Sequence, residues 1–415
     1  MHSKNQRPDS TTFPKEFWIM CAGALSFFLS FNIVLPELAA ELRNRGGEAY
    51  VSWLIPLFSF SALISRPFSG WLADNVGRKL VMVGGCVVCL ISGWFYPLAG
   101  SAVTFLWVRV FHGFSTGFTP TGFTAFTADV VPESHRGRAM GWQGMFNNIG
   151  TTLGYVLGAK IAYSMGSNWL FYFSSGFAAL AIVLFQMLPE TKPKTDKKNS
   201  FEFKLSALFY WPAWKPSVLM GLVCISLGTL LTVMPDFTKW LGYSDKGYYL
   251  SIYIGTSLVF RLVSGKISDA MGRAWSTAIG TFFQIVSMLL LYLIAEQQFE
   301  SHETAFVISA LCYGLGQGFN APSLFAWGSD TAGEQNRGKA MSMIFIFLEL
   351  GIILGGLISG FFAHHGIKNA LNMNTAFSSA SHYWNYSSIF AINVLSFVIA
   401  FGFSVITIVK NRSSQ

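Results

Sequence analysis

Hydrophobic residues run along this chain in blocks of about 20 to 26, separated by short breaks that hold most of the Lys, Arg, Asp and Glu. A helix rising about 1.5 Å per residue needs about 20 residues to cross about 30 Å of hydrocarbon. Each block therefore predicts one membrane-spanning helix. Twelve spans are expected, with cores at 16–39, 50–72, 80–100, 102–128, 139–163, 168–188, 216–238, 247–268, 275–296, 304–329, 340–363 and 383–408. A transmembrane β-barrel would instead show alternating segments of about ten residues, and only helices or closed barrels satisfy their own backbone in lipid. The first block is too long for a signal peptide and lacks a small-residue cleavage site after it, so it reads as the first span. The expected fold class is all-α integral membrane.

The polar residues between the blocks repeat. Arg66-Pro-Phe-Ser-Gly70-Trp-Leu-Ala-Asp74-Asn-Val-Gly77-Arg78 returns as Arg261-Leu-Val-Ser-Gly265-Lys-Ile-Ser-Asp269-Ala-Met-Gly272-Arg273, at an offset of 195. Pro36-Glu37 answers to Pro235-Asp236 at an offset of 199. Asp129, Glu133 and Arg136-Gly137-Arg138-Ala139-Met140 answer to Asp330, Glu334 and Arg337-Gly338-Lys339-Ala340-Met341 at an offset of 201. Self-similarity at that distance means a duplicated unit. The expected organisation is a six-helix bundle over 1–188, a linker over 189–215 and a second six-helix bundle over 216–415. The linker carries Pro189, Lys192, Pro193, Lys194, Lys197 and Lys198, then an amphipathic stretch from Phe201 to Trp214 that reads as a short interfacial helix.

Composition agrees with the pattern: 52% of the 415 residues are hydrophobic and 12% are charged, about half the charged share of an average soluble domain. Charge then sets orientation. With the N-terminus in the cytoplasm, nineteen Lys and Arg lie on that side and five opposite, with Arg66, Arg109, Lys160 and Arg261 inside spans. By the positive-inside rule both termini are cytoplasmic, in a plasma membrane, the inner membrane of a bacterium. The net charge of +8 lies mainly on the cytoplasmic rim beside anionic lipid, so no nucleic-acid partner is expected. All five cysteines fall inside spans, and Cys86-x-x-Cys89 reads as small core residues rather than a redox pair. His364, His365 and His382 lack acidic or cysteine company, so a solvated loop is expected there and no metal. Gly333-Glu-Gln-Asn-Arg-Gly338-Lys339-Ala340 nearly fits a phosphate loop. It lacks the magnesium-binding hydroxyl and a preceding strand, which excludes nucleotide-driven pumping. No cofactor and no enzymatic activity are expected.

Gly70-Trp-Leu-Ala-Asp74-Asn-Val-Gly77-Arg78-Lys79 resembles the signature of the major facilitator superfamily between its second and third spans, G-x-L-a-D-r-x-G-r-k, in a drug/sugar efflux-like branch. Two glycines permit a tight turn, and the acid can face the positive N-terminus of another helix. The resemblance implies that Asp74 docks on the start of the eleventh span near Gly338 and latches the cytoplasmic gate. By the repeat, Asp269 would do the same near Gly137. Gly70, Gly77, Arg78, Gly265, Gly272, Arg273, Arg136 and Arg337 complete this gate set, while Asn75 stands where the family has Arg. Arg109-Val-Phe-His112-Gly113-Phe-Ser-Thr-Gly117 resembles the family's second signature. Its Arg is associated in the family with proton or substrate coupling, and its small residues let helices approach closely. Gly150-Thr-Thr-Leu-Gly154-Tyr155-Val-Leu-Gly158 keeps the glycine spacing of the family's antiporter signature but lacks its proline.

Several residues keep two readings. Arg109 is a coupling group or a structural Arg bonded to helix carbonyls; His112 exchanges protons or packs. Glu349 is the candidate proton carrier, since a charged acid at that depth is costly, or a neutral acid bonded to a neighbouring helix. Glu37 and Asp236 are gating acids or snorkel to the outer interface. The expected cavity set is Asn32, Thr116, Gln143, Asn147, Asn148, Gln317 and Asn320 beside Arg109, His112 and Glu349, few polar groups among many aromatics, which suits a small organic solute. The resemblance implies secondary transport by two rocking bundles in a monomer. Proton-coupled efflux is the first reading, proton-coupled uptake the second, and a non-transporting membrane sensor the third.

Overall fold

The computed structural model describes residues 13–132, 135–191, 210–299, 301–332, 337–365 and 385–413, with the side chains at 74, 136–138, 159, 337–338, 363–365 and 411–413 outside that description. Thirteen α-helices form twelve long helical runs. α1 (Lys15–Asn32) and α2 (Leu38–Asn44) make the first run, and α3 (Leu54–Asn75), α4 (Arg78–Leu98), α5 (Ala102–Val130), α6 (Arg136–Met165) and α7 (Ser167–Gln186) complete the first set. The second set is α8 (Trp214–Trp240), α9 (Tyr248–Met271), α10 (Arg273–Ala295), α11 (Glu303–Asp330), α12 (Arg337–His365) and α13 (Tyr386–Ser413).

The first span differs from the expected single helix over 16–39. Pro36 lacks an N–H and cannot continue the ladder, so a 3-10 turn over Leu35–Glu37 separates α1 from α2. Elsewhere the starts are written in the sequence. Ser101 and Thr104 form a reciprocal capping box at α5, and Gly272, at φ +93°, makes the turn between α9 and α10 that a residue with Cβ would adopt only under strain. The turn before α4 is closed by a distant carboxylate: Glu190 accepts from the Arg78 backbone N–H at 2.7 Å and the Lys79 N–H at 3.2 Å. A Cβ at Gly77 would meet the Glu190 Cδ at 2.7 Å, so the glycine admits the cap.

Nine of the helical runs among the described residues are long and apolar enough to cross a membrane. α5, α6 and α11, at 29, 30 and 28 residues, have the length but carry more polar side chains. They are held between the apolar runs: α5 between α3 and α4, α6 against α1, and α11 between α9 and α10. Large apolar side chains such as Trp94, Phe95, Leu98 and Trp107 face outward and are exposed, as a lipid-facing surface requires.

Each set packs chiefly within itself. The sets meet where α3 lies on α12 and α6 on α9, with α2 touching α8 at the end far from the chain termini. The approach is close because glycines line the contacts. A Cβ at Gly117 of α5 would sit 2.8 Å from the Ala62 carbonyl oxygen of α3, and one at Gly154 of α6 would sit 2.8 Å from the Asn32 Cβ of α1. The glycine row of the antiporter-like stretch thus packs α6 on α1. The two cysteines of α4 are small buried residues with separate neighbours, Cys86 at 3.7 Å from the Thr119 hydroxyl and Cys89 at 3.1 Å from the Ser30 hydroxyl.

The contact at Gly117 has no room for a side chain, whereas a Cβ at Gly70 meets nothing within 4 Å. Gly117→Val is expected to lower stability by about 1–3 kcal/mol through overpacking, and Gly70→Ala to leave it unchanged or raise it slightly. Thermal unfolding of the detergent-solubilised chain checks the contrast.

Candidate functional site

Charged side chains between packed helices must find partners, and four groups of them locate the site. The first joins the two sets directly. Glu349, buried near the middle of α12, accepts from an Arg66 Nη of α3 at 2.7 Å. The guanidinium lies over the Phe345 ring, 4.7 Å from its centroid, while its Nε is buried with no hydrogen-bond partner. Glu349 was expected as a polar group of the cavity; its arginine was not. Arg66 stood in the repeated motif and among the four cations inside spans. The requirement that an intramembrane cation have a counter-ion was the signal that could have found the pair.

Arg109 and His112 form a second group, enclosed within the first set. The Arg109 Nε donates to the Leu54 carbonyl at 3.0 Å and the guanidinium stacks on Phe58 at 4.0 Å from the ring centroid, leaving one Nη without a partner. Geometrically it is bonded to a helix carbonyl, the structural alternative of the two. His112 is fully buried, its Nε2 3.2 Å from the Cys89 sulfur and its Nδ1 3.2 Å from the Tyr96 hydroxyl. Neither residue bonds to Glu349. α3 stands between them, carrying Arg66 toward α12 while Ser69 donates to the Gly117 carbonyl of α5 at 2.6 Å.

The remaining cavity candidates divide by how far they are satisfied. Asn32 donates to the Phe28 carbonyl at 2.7 Å and the Thr151 hydroxyl at 3.2 Å. Thr116 bonds its own helix at Gly113, and Gln143 accepts from Thr127 at 2.7 Å. Gln317 and Asn320 both converge on Gln284 of α10, which sequence reasoning passed over: its amide donates to Gln317 at 3.2 Å and its carbonyl accepts from Asn320 at 2.5 Å. Apart from Thr116, these are ties between helices. Asn147 and Asn148 differ, since the Asn147 Oδ1 and the Asn148 Nδ2 are buried without partners.

The third group lies at the far end. Asp236, just after Pro235 of α8, accepts both Nη groups of Arg43 from α2, at 2.5 and 2.8 Å. Its repeat counterpart Glu37 is bonded to Lys246, ahead of α9. Each acid therefore takes its cation from the other set. Between them the packing is tight: a void of about 10 Å³ lined by Leu35, Leu38, Val51, Leu231, Thr232 and Pro235 has room for at most about one water.

The fourth group is the repeated motif at the end that carries the termini. Arg78 donates from Nε to Asp129 at 3.1 Å, and Arg273 donates from Nε to Asp330 at 2.8 Å. The acids that repeat in sequence are thus the partners of the repeating arginines. Asp269 bonds to Arg273, four residues on, and its side chain is 67% exposed; the side chains at 136–138, where the repeat expects it to dock near Gly137, lie outside the described residues. With a cation one helical turn away and open solvent in front, the carboxylate has no need of the other set. Gly265, on the same face one turn earlier, is open around its Cβ position. The expected contact of Asp74, and the side chains of Arg136 and Arg337, lie outside the described residues, as do those of His364, His365 and His382 and the linker over 192–209. Among the described residues no group of three or more His, Cys, Asp and Glu could hold a metal ion.

Comparison with known proteins places this geometry. The Major Facilitator Superfamily profile matches residues 19–356 and, in a second overlapping match, 218–414. Quinolone resistance protein NorA of Staphylococcus aureus is 25% identical over 359 residues, 83% of this chain and 89% of NorA. The uncharacterized MFS-type transporter YhhS of Escherichia coli is 26% identical over 347 residues, 80% of this chain and 82% of YhhS. The crystal structure of the human organic anion transporter MFSD10 superposes with a TM-score of 0.71 at 18% identity, covering 94% of this chain and 100% of that one. The same fold thus recurs at an identity too low to carry more than the fold. With the duplicated motif, the twelve helical runs and a family profile that spans both halves, the chain belongs to the major facilitator superfamily.

Proposed function

We propose that this protein is a secondary transporter that moves a small organic solute across the plasma membrane by alternating access, exchanging it for protons. The observation that carries the reading is the Arg66–Glu349 pair. It is buried, it joins α3 to α12 across the line between the two sets, and it is the one described acid–base pair there away from the helix ends. Protonating Glu349 removes the charge that holds Arg66, so the same event that loads a proton loosens the contact along which the bundles must move. Residues 1–188 and 216–415 act as the two bodies, with 189–215 connecting them. One chain supplies both faces of the cavity, so a monomer suffices.

The crossed pairs Arg43–Asp236 and Lys246–Glu37 act as a clasp over one end, and the exposed carboxylates of Asp269 and Asp330 support the opposite end as the open one. The Lys and Arg excess supports a clasp on the outer side and both termini in the cytoplasm. Similarity to a quinolone resistance protein favours export as the net direction. One proton crossing with a pH unit and 100 mV releases roughly 3.7 kcal/mol, enough for a several-hundred-fold gradient of a neutral solute.

In proteoliposomes with an imposed pH gradient, screened with radiolabelled organic solutes that include a quinolone, Glu349→Gln is expected to abolish uphill movement while solute counterflow at equal pH persists. Uphill movement at the wild-type rate would remove Glu349 from the coupling. The clasp has its own test. In a chain carrying Arg43→Cys and Asp236→Cys, oxidation is expected to halt transport and reduction to restore it; flux unaffected by a formed disulfide would show that this end need not open.

A further inference from the structure

The repeat predicts a second ion pair that the structure does not contain. Arg261 of α9 is the counterpart of Arg66, and Asn148 of α6 is the counterpart of Glu349, so the contact of α9 on α6 mirrors the contact of α3 on α12. In the mirror contact the acid is missing. The Arg261 Nε is buried with no hydrogen-bond partner, and no described carboxylate pairs with the guanidinium.

The space in front of it is open. An Nη of Arg261 is the only heavy atom within 4 Å of where a Cβ of Gly144 would stand, at 4.0 Å, and a Cβ at Gly141 would meet nothing. Residues 141, 144 and 148 share one face of α6. That face offers two positions without side chains and then, one helical turn beyond Gly144, the buried and unpartnered Asn148 Nδ2. A half-buried cation whose Nε is buried without a partner, an unpartnered amide donor on the facing helix and an open cradle lack one thing, an acceptor with negative charge.

We propose that Arg261, assisted by Asn148, is the receptor for an anionic group of the transported solute, a planar carboxylate or a sulfonate or phosphate ester, seated over Gly141 and Gly144. The solute takes the place in the α6–α9 contact that Glu349 takes in the α3–α12 contact. The two contacts thereby divide the labour: one is neutralised by a resident acid that takes protons, the other by the cargo. This rests on the reading of the chain as a transporter and names the class of its solute.

Equilibrium binding of radiolabelled 1-naphthoate and of its neutral isostere 1-naphthamide to the purified full-length chain in nanodiscs, at one pH, tests the site. Wild type is expected to bind the carboxylate about tenfold or more tightly than the amide, the scale of one charged hydrogen-bonded pair. Arg261→Gln should erase that ratio and Arg261→Lys keep part of it. Asn148→Glu, which restores the acid that symmetry calls for, should also erase it by occupying Arg261 from within, and it decides the matter if Arg261→Gln does not fold. Equal binding of the two probes by wild type, including no binding of either, overturns the proposal, as does a ratio unchanged in the Arg261→Gln and Asn148→Glu chains. No proton gradient enters the measurement. A carboxylate preference without flux in proteoliposomes would therefore overturn the transport reading and leave the anion site standing.

Discussion

A guanidinium held between membrane helices must be met by an acid, a carbonyl and ring face, or a ligand, because no water or lipid headgroup reaches it there without cost. The structure meets its buried arginines differently. Arg66 has Glu349. Arg109 has the Leu54 carbonyl and the face of Phe58. Arg261 has neither acid nor carbonyl within its described partners. These differences matter because the three sit where helices touch. Arg109 pins α5 to α3 inside one set, whereas Arg66 and Arg261 stand on the two contacts between sets, so only the latter pair can sense how the sets are placed.

Close packing makes those contacts decisive. Gly117 lets α5 approach α3 and Gly154 lets α6 approach α1, so α3 and α6 are held firmly to their own set. Each then presents its other face to the opposite set. Between the sets the polar contacts are fewer and charged, and a charged contact can be switched by a proton or a bound ion where an apolar one cannot. The far end follows the same rule. Glu37 and Asp236 hold cations from opposite sets, and the apolar packing between them leaves a void of only about 10 Å³.

The span pattern, the duplication and the glycine turns were legible in the sequence because each rests on local chemistry: block length against bilayer thickness, glycine at a turn, and repeated spacing. Gly272 at positive φ and the pairing of Arg78 with Asp129 and of Arg273 with Asp330 follow directly from the repeat. The kink at Pro36 was visible as a proline near the end of a block, yet a hydropathy window averages over it. What could not be read was partnership across the sets. Arg66 and Glu349 are 283 residues apart and meet only after α3 lies on α12. Gln284 was hidden for a related reason: a single amide in an apolar block reads as a tolerated core residue until two other amides are found pointing at it. Asp269 shows a further limit, since the repeat fixes where the acid stands but not that Arg273, one turn on, would be its partner.

The departures from symmetry are therefore worth more than the agreement. A duplicated bundle begins with two equivalent contacts, and a transporter with two resident acids facing two resident arginines would neutralise both within the chain. Such a molecule could take protons at both contacts, but its cavity would offer no unmatched charge to a solute. Keeping Glu349 while placing Asn at 148 leaves one arginine answered and one unanswered, at the cost of a buried cation whose donors wait for a partner. That cost is tolerable because Arg261 borders open space beside Gly141 and Gly144 rather than packed apolar side chains. Within one duplicated fold, the single difference between Glu349 and Asn148 separates a contact closed by the chain from a contact left open.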